Sequence, residues 1–263
     1  MKIHFIRNAT LIIETDKHHI LLDPMLGPVA TLPPLAFLRH KARRNPIAAM
    51  PPNTAEKLAM VTTAVITHCR LGHYDHLDKT GWKFLAKRQI TTYCNQADVP
   101  YLQKRKIATR PLQANQPHSF LDGRITPFPT QHGYGLIGKM MGPGFGYLIE
   151  LPGEPTLYLS GDTVLTATVH HVLTEYKPDI AVLAAGSASL DIGKPILMPM
   201  SELVEFVRLA PGQVIATHME ALNHCPTTRT ELQTAVAEAG LSAKLNIPAD
   251  GETLEFSTKK NSE

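Results

Sequence analysis

The segment Thr67-His68-Cys69-Arg70-Leu71-Gly72-His73-Tyr74-Asp75-His76-Leu77-Asp78 places three imidazoles and a carboxylate within nine residues. Imidazole nitrogen and carboxylate oxygen are ordinary ligands of zinc and similar divalent ions. The segment directly follows MVTTAVITH, an apolar run that reads as a buried strand, and it precedes a helical pattern. A loop at a strand end lets such side chains converge, whereas helical spacing would fan them around an axis. The competing reading, a polar surface loop with incidental histidines, does not account for so dense a set of donors.

Three other strand ends repeat the arrangement. GRITPFPTQH ends in His132, PTLYLSGDT delivers Asp162 after Gly161, and QVIATH ends in His218. A lone strand-end histidine is more often a hydrogen-bonded edge residue than a ligand. Ligand-type residues at four strand ends, all at the same end of β/α units, make a metal site the better reading. His4, His18, His19, His40, His118, His170 and His171 have no converging partner and read as surface or packing residues. His224 lies six residues beyond His218 in a loop before a helix. Its role is open between proton donor or substrate contact and structural hydrogen bonding. Cys69 and Cys225 read as buried thiols beside the ligand loops.

These residues need elements that deliver their strand ends to one edge. KIHFIRNATLIIET and HHILLDPML read as a β meander, and the proline-rich stretch from Leu26 to Asn53 as a long loop of functional character. Strands and helices then alternate. Thr54 is placed as the cap of a helix to Met60, followed by a helix over Leu77–Arg88, strand ITTYC and a helix over Ala97–Lys106. A strand-rich middle follows, then Val164–Tyr176, DIAVLAAGS, Ser201–Leu209, QVIATH, Thr228–Ala239 and a strand-rich end. The order predicts an α/β fold of two βα halves, a four-layer αββα sandwich. A doubly wound sheet binding a dinucleotide would need regular alternation and a GxGxxG after the first strand, and neither is present. No linker or repeat divides the chain, so residues 1–263 are expected to form a single domain.

Composition narrows the class further. At 263 residues and 43% hydrophobic, the chain can bury a substantial core. No apolar run is long enough for a membrane span, and the N-terminus reads as a first strand and not a signal peptide, which points to the cytoplasm. Three scattered cysteines form neither a disulfide framework nor a CxxC site. The basic stretch Arg39, His40, Lys41, Arg43 and Arg44 reads as a solvated loop; with 6% aromatic residues, no nucleic-acid surface is expected.

The run from Thr67 to Asp78, then His132, then Gly161-Asp162-Thr163, then His218 resembles the metallo-β-lactamase superfamily, whose signature is T-H-x-H-x-D-H followed by a lone His, a G-D-T-like turn and a final His. The resemblance covers nearly the whole chain. It is nearest to the branch of ascorbate-6-phosphate lactonases and N-acylphosphatidylethanolamine phospholipase D-like hydrolases, and Asn8-Ala9-Thr10 and Asp23-Pro24-Met25-Leu26 fit a bacterial group within it. The family implies two divalent metal ions, with zinc foremost and manganese, iron or nickel as alternatives. Carried onto this sequence, His68, His73 and His132 would hold the first, Asp75, His76 and His218 the second, and Asp162 would bridge them.

One departure stands out. The family has a single residue between the first two histidines, whereas Cys69 to Gly72 separate them here, so Arg70-Leu71-Gly72 reads as an insertion. Either the insertion bulges outward and His68 keeps its place, or it carries His68 away. An outward bulge is expected, because Gly72 can adopt the angles of a tight return. The resemblance implies a hydrolase in which a metal-bound hydroxide attacks an ester, lactone or phosphodiester of a small, anionic or neutral substrate, with Asp75 orienting the nucleophile or shuttling a proton. The alternative is a degenerate, non-catalytic metal- or ligand-binding member of the same fold. A diiron oxidoreductase is disfavoured by the absence of Glu between His68 and His76. Substrate and oligomeric state are not legible.

Overall fold

The computed structural model describes residues 1–70 and 72–257. Leu71 of the insertion lies outside the described residues, as does the stretch 258–263 of the expected domain. The strands are β1 (Lys2–Arg7), β2 (Thr10–Glu14), β3 (His19–Leu22), β4 (Thr63–Val65), β5 (Thr91–Asn95), β6 (Thr109–Leu112), β7 (His118–Phe120), β8 (Gly123–Pro129), β9 (Phe145–Glu150), β10 (Leu157–Leu159), β11 (Ile180–Ala184), β12 (Gln213–Thr217), β13 (Leu245–Asn246) and β14 (Thr253–Glu255). The helices are α1 (Thr54–Met60), α2 (Lys79–Lys87), α3 (Val99–Gln103), α4 (Gly135–Met140), α5 (Ala167–His171), α6 (Met200–Leu209) and α7 (Arg229–Glu238).

Two seven-stranded sheets run in the orders β14-β1-β2-β3-β4-β5-β6 and β13-β12-β11-β10-β9-β8-β7. Each is antiparallel at one end and parallel at the other: β3 to β6 pair in parallel in the first sheet, and β10 to β13 in the second. The period of two along a strand explains the layering. Along β2 and β3, Leu11, Ile13, Ile20 and Leu22 enter the core between the sheets, while Ile12 and Leu21 face the helices on the outer side. In β11 and β12, Ile180, Val182 and Ile215 enter that central core, and Ala181, Leu183, Val214 and Ala216 pack beneath α6 and α7. Strands buried on both faces must be apolar nearly throughout, and these are. The result is the expected αββα sandwich. Among the described residues no helix is long and apolar enough to cross a membrane.

Local corrections have simple causes. Thr54 is the first residue of α1 and not its cap; its hydroxyl donates to the Pro51 carbonyl at 2.7 Å. The Ala97–Lys106 helix shortens to a 3₁₀ turn and α3, where Pro100 fills an early position. β6 and β7 carry too little apolar alternation to be legible. The glycine-rich stretch from Gly133 to Gly146 contains α4. Two helix starts follow sequence rules: the Asp78 side chain accepts from Gly81 N at 2.7 Å, and Thr228 and Glu231 form a capping box on α7.

The proline-rich loop is held from inside. Arg7 is fully buried, and its guanidinium donates to the carbonyls of Ala48, Met25 and Gly27, each at 2.9 Å. Asp78 also accepts from Gly27 N, tying the loop to the start of α2. Replacing Arg7 with Met would leave these carbonyls without their donor. Arg7→Met should lower stability in a urea titration by about 2–4 kcal/mol and open residues 26–53 to limited proteolysis. Native stability with a native cleavage pattern would show that the loop is anchored elsewhere.

Candidate metal centre

Four strand ends at one edge of the sandwich bring the expected side chains together. His68 follows β4, His132 follows β8, Asp162 follows β10 and His218 follows β12; His73, Asp75 and His76 come from the loop between β4 and α2. One nitrogen each from His68, His73 and His132 lie within 4.8 Å of one another. Asp75, His76, Asp162 and His218 form a second group on the same criterion of 4.8 Å. All seven are buried. Asp162 stands between the groups, its Oδ2 3.1 Å from His76 Nε2, 3.4 Å from His132 Nε2 and 3.4 Å from His218 Nε2. Asp75 Oδ2 lies 3.5 Å from His218 Nε2.

The outward-facing nitrogen of each imidazole is engaged by the protein. Nδ1 of His76 donates to Asp23 Oδ2 at 2.8 Å and that of His132 to the Ile196 carbonyl at 2.8 Å. His73 Nδ1 donates to the Arg70 carbonyl, and His68 Nδ1 to Thr67 Oγ1 at 3.0 Å. Thr67 Oγ1 can accept because its own proton goes to Asp23 Oδ2 at 2.7 Å. His218 Nδ1 faces the Cys225 sulfur at 3.5 Å. These partners fix the ring orientations, so that each Nε2 is directed inward; that of His76 already bonds Asp162 Oδ2 at 3.1 Å. Nε2 of His68, His73 and His218 is buried without a hydrogen-bond partner, although that of His218 lies 3.4 Å from Asp162 Oδ2. Buried polar atoms are normally satisfied, so three orphaned nitrogens converging beside two carboxylates fit a bound cation.

The insertion does not displace His68, which is buried and joins His73 and His132. Across the insertion, His73 N donates to the Arg70 carbonyl at 3.2 Å, and Gly72 stands at φ +89. That angle is open to glycine at little cost. Gly161 meets the same demand before Asp162, at φ +63, and any side-chain carbon there would stand 2.8 Å from the Phe145 carbonyl oxygen.

Electrostatics separate the two groups. Burial, reinforced by neighbouring His76 and His73, pushes His68 well down; burial likewise takes His132 down to about 4. Both stay neutral, the form that offers a lone pair to a metal. Burial disfavours charge on Asp162, yet His218 and His76 outweigh it and hold its carboxyl well below the usual range. Burial would also raise the Cys225 thiol, but the imidazoles of His224 and His218 prevail and bring it to about 7.

Other expected residues take definite places. His224 is buried beside the second group, its ring 6.4 Å from that of His218, with Nδ1 3.8 Å from Cys225 Sγ; it joins neither ligand group. The proline-rich loop reaches the same edge: Asn223 accepts from Leu35 N at 2.9 Å and donates to the Ala36 carbonyl at 2.7 Å. The glycine-rich segment borders a cavity of about 240 Å³ lined in part by His132, Gly133 and Lys139. His40, read as a surface or packing residue, bonds Ser189 Oγ at 2.8 Å and joins neither ligand group. Sequence reasoning missed Asp23 as the support of His76 and Asn8, whose amide donates to the Asp75 carbonyl at 3.1 Å. Asp23 carried the signal already used for the ligands, a polar residue directly after a buried strand.

No protein-family model matches the chain. A crystal structure of isothiocyanate hydrolase from Delia radicum gut bacteria superposes with a TM-score of 0.88 at 32% identity, covering 98% of this chain and 100% of that one. The UPF0173 protein YddR of Bacillus subtilis is 28% identical over 97% of this chain and 100% of its own length, and other UPF0173 proteins are named metal-dependent hydrolases. The metallo-β-lactamase fold protein YhfI of Bacillus subtilis shares the fold at 14% identity, with a TM-score of 0.65 over 97% of this chain and 98% of that one. The chain belongs to the metal-dependent hydrolases of the metallo-β-lactamase fold.

The geometry sets distinct outcomes for single substitutions, read as metal content per chain after dialysis. Asp162→Ala should depress occupancy at both positions, and His218→Ala mainly at the second. His68→Ala should reduce both metal content and turnover; normal values for both would remove His68 from the ligand set.

Proposed function

We propose that this chain holds two divalent cations side by side, zinc foremost with manganese, iron or nickel as alternatives, and uses them to hydrolyse a small-molecule substrate. His68, His73 and His132 would hold the first, Asp75, His76 and His218 the second, and Asp162 would bridge them. The observation that carries this reading is the set of orphaned Nε2 atoms, aimed inward by Nδ1 partners on the far side of each ring. When bound, such ions supply an activated water and polarise the bond under attack.

The chain's own residues do the rest. Asp75, beside His76 and His218, would orient the nucleophile or shuttle its proton. His224 stands close enough to the second group to donate a proton to the leaving group. The buried imidazoles and the loops over them restrict bulk water. Three free, buried cysteines fit a reducing compartment such as the cytoplasm, and residues 1–263 act as one domain.

Esters, lactones and phosphodiesters are the first substrate class. A second reading, water attack on the central carbon of an isothiocyanate, is favoured by the 32% identity to the isothiocyanate hydrolase over nearly the full length of both chains. A panel of 4-nitrophenyl acetate, a γ-lactone, bis(4-nitrophenyl) phosphate and phenethyl isothiocyanate distinguishes them. Turnover of at least one should vanish on chelation and return with zinc or manganese. Two bound ions per chain with no turnover of any member would sink the catalytic assignment of the site. His224→Gln should lower kcat by roughly 10²-fold or more with metal content unchanged, the scale of a lost general acid; an unaltered kcat would return His224 to a structural role.

A further inference from the structure

We propose that the Arg70–Asp98 ion pair is a positioning device for His73, holding the inserted turn so that His73 presents Nε2 to the first metal position. The assignment rests on the two-position reading above. Arg70 Nε donates to Asp98 Oδ1 at 3.1 Å. Asp98 is itself immobilised: its side chain is 1% exposed, its Oδ2 accepts from Asn95 Nδ2 at 2.8 Å, and its N–H donates to Asn95 Oδ1 at 3.1 Å. The carbonyl of the same Arg70 receives two donors from His73, the main-chain N–H at 3.2 Å and Nδ1–H. A single residue therefore joins a buried carboxylate, through its side chain, to the back of a ligand imidazole, through its main chain.

The pair is suited to this task. Exposed ion pairs contribute little, but here a half-exposed guanidinium meets a buried carboxylate. Burial pushes the Asp98 carboxyl up to about 6 even with Arg70 opposing it, so losing Arg70 would leave a buried carboxylate without its counter-charge. Among the described residues of the turn, only Arg70 ties it by a side-chain hydrogen bond to another part of the fold. His68, by contrast, takes its orientation from Thr67 and Asp23 within the sheet framework. The two histidines flanking the insertion are thus held by separate devices, and only His73 depends on Arg70.

The test compares wild type with Arg70→Ala, Arg70→Lys and Asp98→Asn. Each protein is loaded with zinc and dialysed against graded chelator, the cobalt-substituted forms are examined by visible absorption, and the metal-free proteins are melted. Wild type is measured first; fewer than two ions there would overturn the two-position reading itself. With two ions in wild type, Arg70→Ala should release one of them about 10–100-fold more readily, the usual effect of removing a ligand's support. The other ion should be retained at wild-type affinity even where the metal-free Tm falls, the cobalt spectrum of one position should alter, and Arg70→Lys should recover most of the loss. Asp98→Asn should reproduce the selective loss; should it fail to fold, the Arg70 pair of variants decides. Retention of both ions at wild-type affinity in Arg70→Ala, or parallel loss of both with a lowered metal-free Tm, would overturn the proposal.

Discussion

Asp162 is a carboxylate with almost no exposure, surrounded by the Nε2 atoms of His76, His132 and His218. A buried carboxylate is costly unless positive charge surrounds it, and neutral imidazoles supply that charge only through a proton or a shared cation. Much of the architecture at this edge answers that constraint. β4, β8, β10 and β12 come from both sheets, yet each ends where its next residues reach the same few ångströms. The packing of the sheets face to face through a single central core is what aligns those ends.

Local conformation at the site departs from what the chain prefers. Asn8, Asp23 and His218 all adopt positive φ, at 57°, 41° and 61°. Such angles cost non-glycine residues energy and persist where surrounding bonds over-determine them. Here the bonds can be named: Asn8 donates to the Asp75 carbonyl and accepts from His218 N at 3.0 Å, while Asp23 receives Thr67 N at 2.8 Å and His76 Nδ1. The residues that strain the backbone are the ones that hold the ligand loops in register.

How much of this was legible in the sequence follows from the range of each interaction. The ligand-type residues could be read because each directly follows a buried apolar strand, a local pattern of few residues. The layers could be read because strands covered on both faces lose their polar alternation. The partners of the supports could not: Asp23 stands at a strand end like the ligands, but that it meets His76, that Asn223 meets Leu35 and that Arg70 meets Asp98 follow from separations that only the folded chain closes. β6 and β7, short and only partly covered, leave no periodic trace either. His40 looked solitary for the same reason, since Ser189 approaches from a different loop.

The inserted turn shows how such a centre can tolerate a change of loop length. His73 N closes back on the Arg70 carbonyl, and Gly72 supplies the angle that returns the chain. A loop of this kind loses the rigidity a shorter one has by geometry alone, and flexibility at a ligand costs affinity directly. The compensation lies outside the motif, in the Asp98 carboxylate just before α3, which Asn95 holds in place. A longer ligand loop and a new anchor for it are therefore two parts of one structural change, and sequences that share the first should be searched for the second at the end of β5.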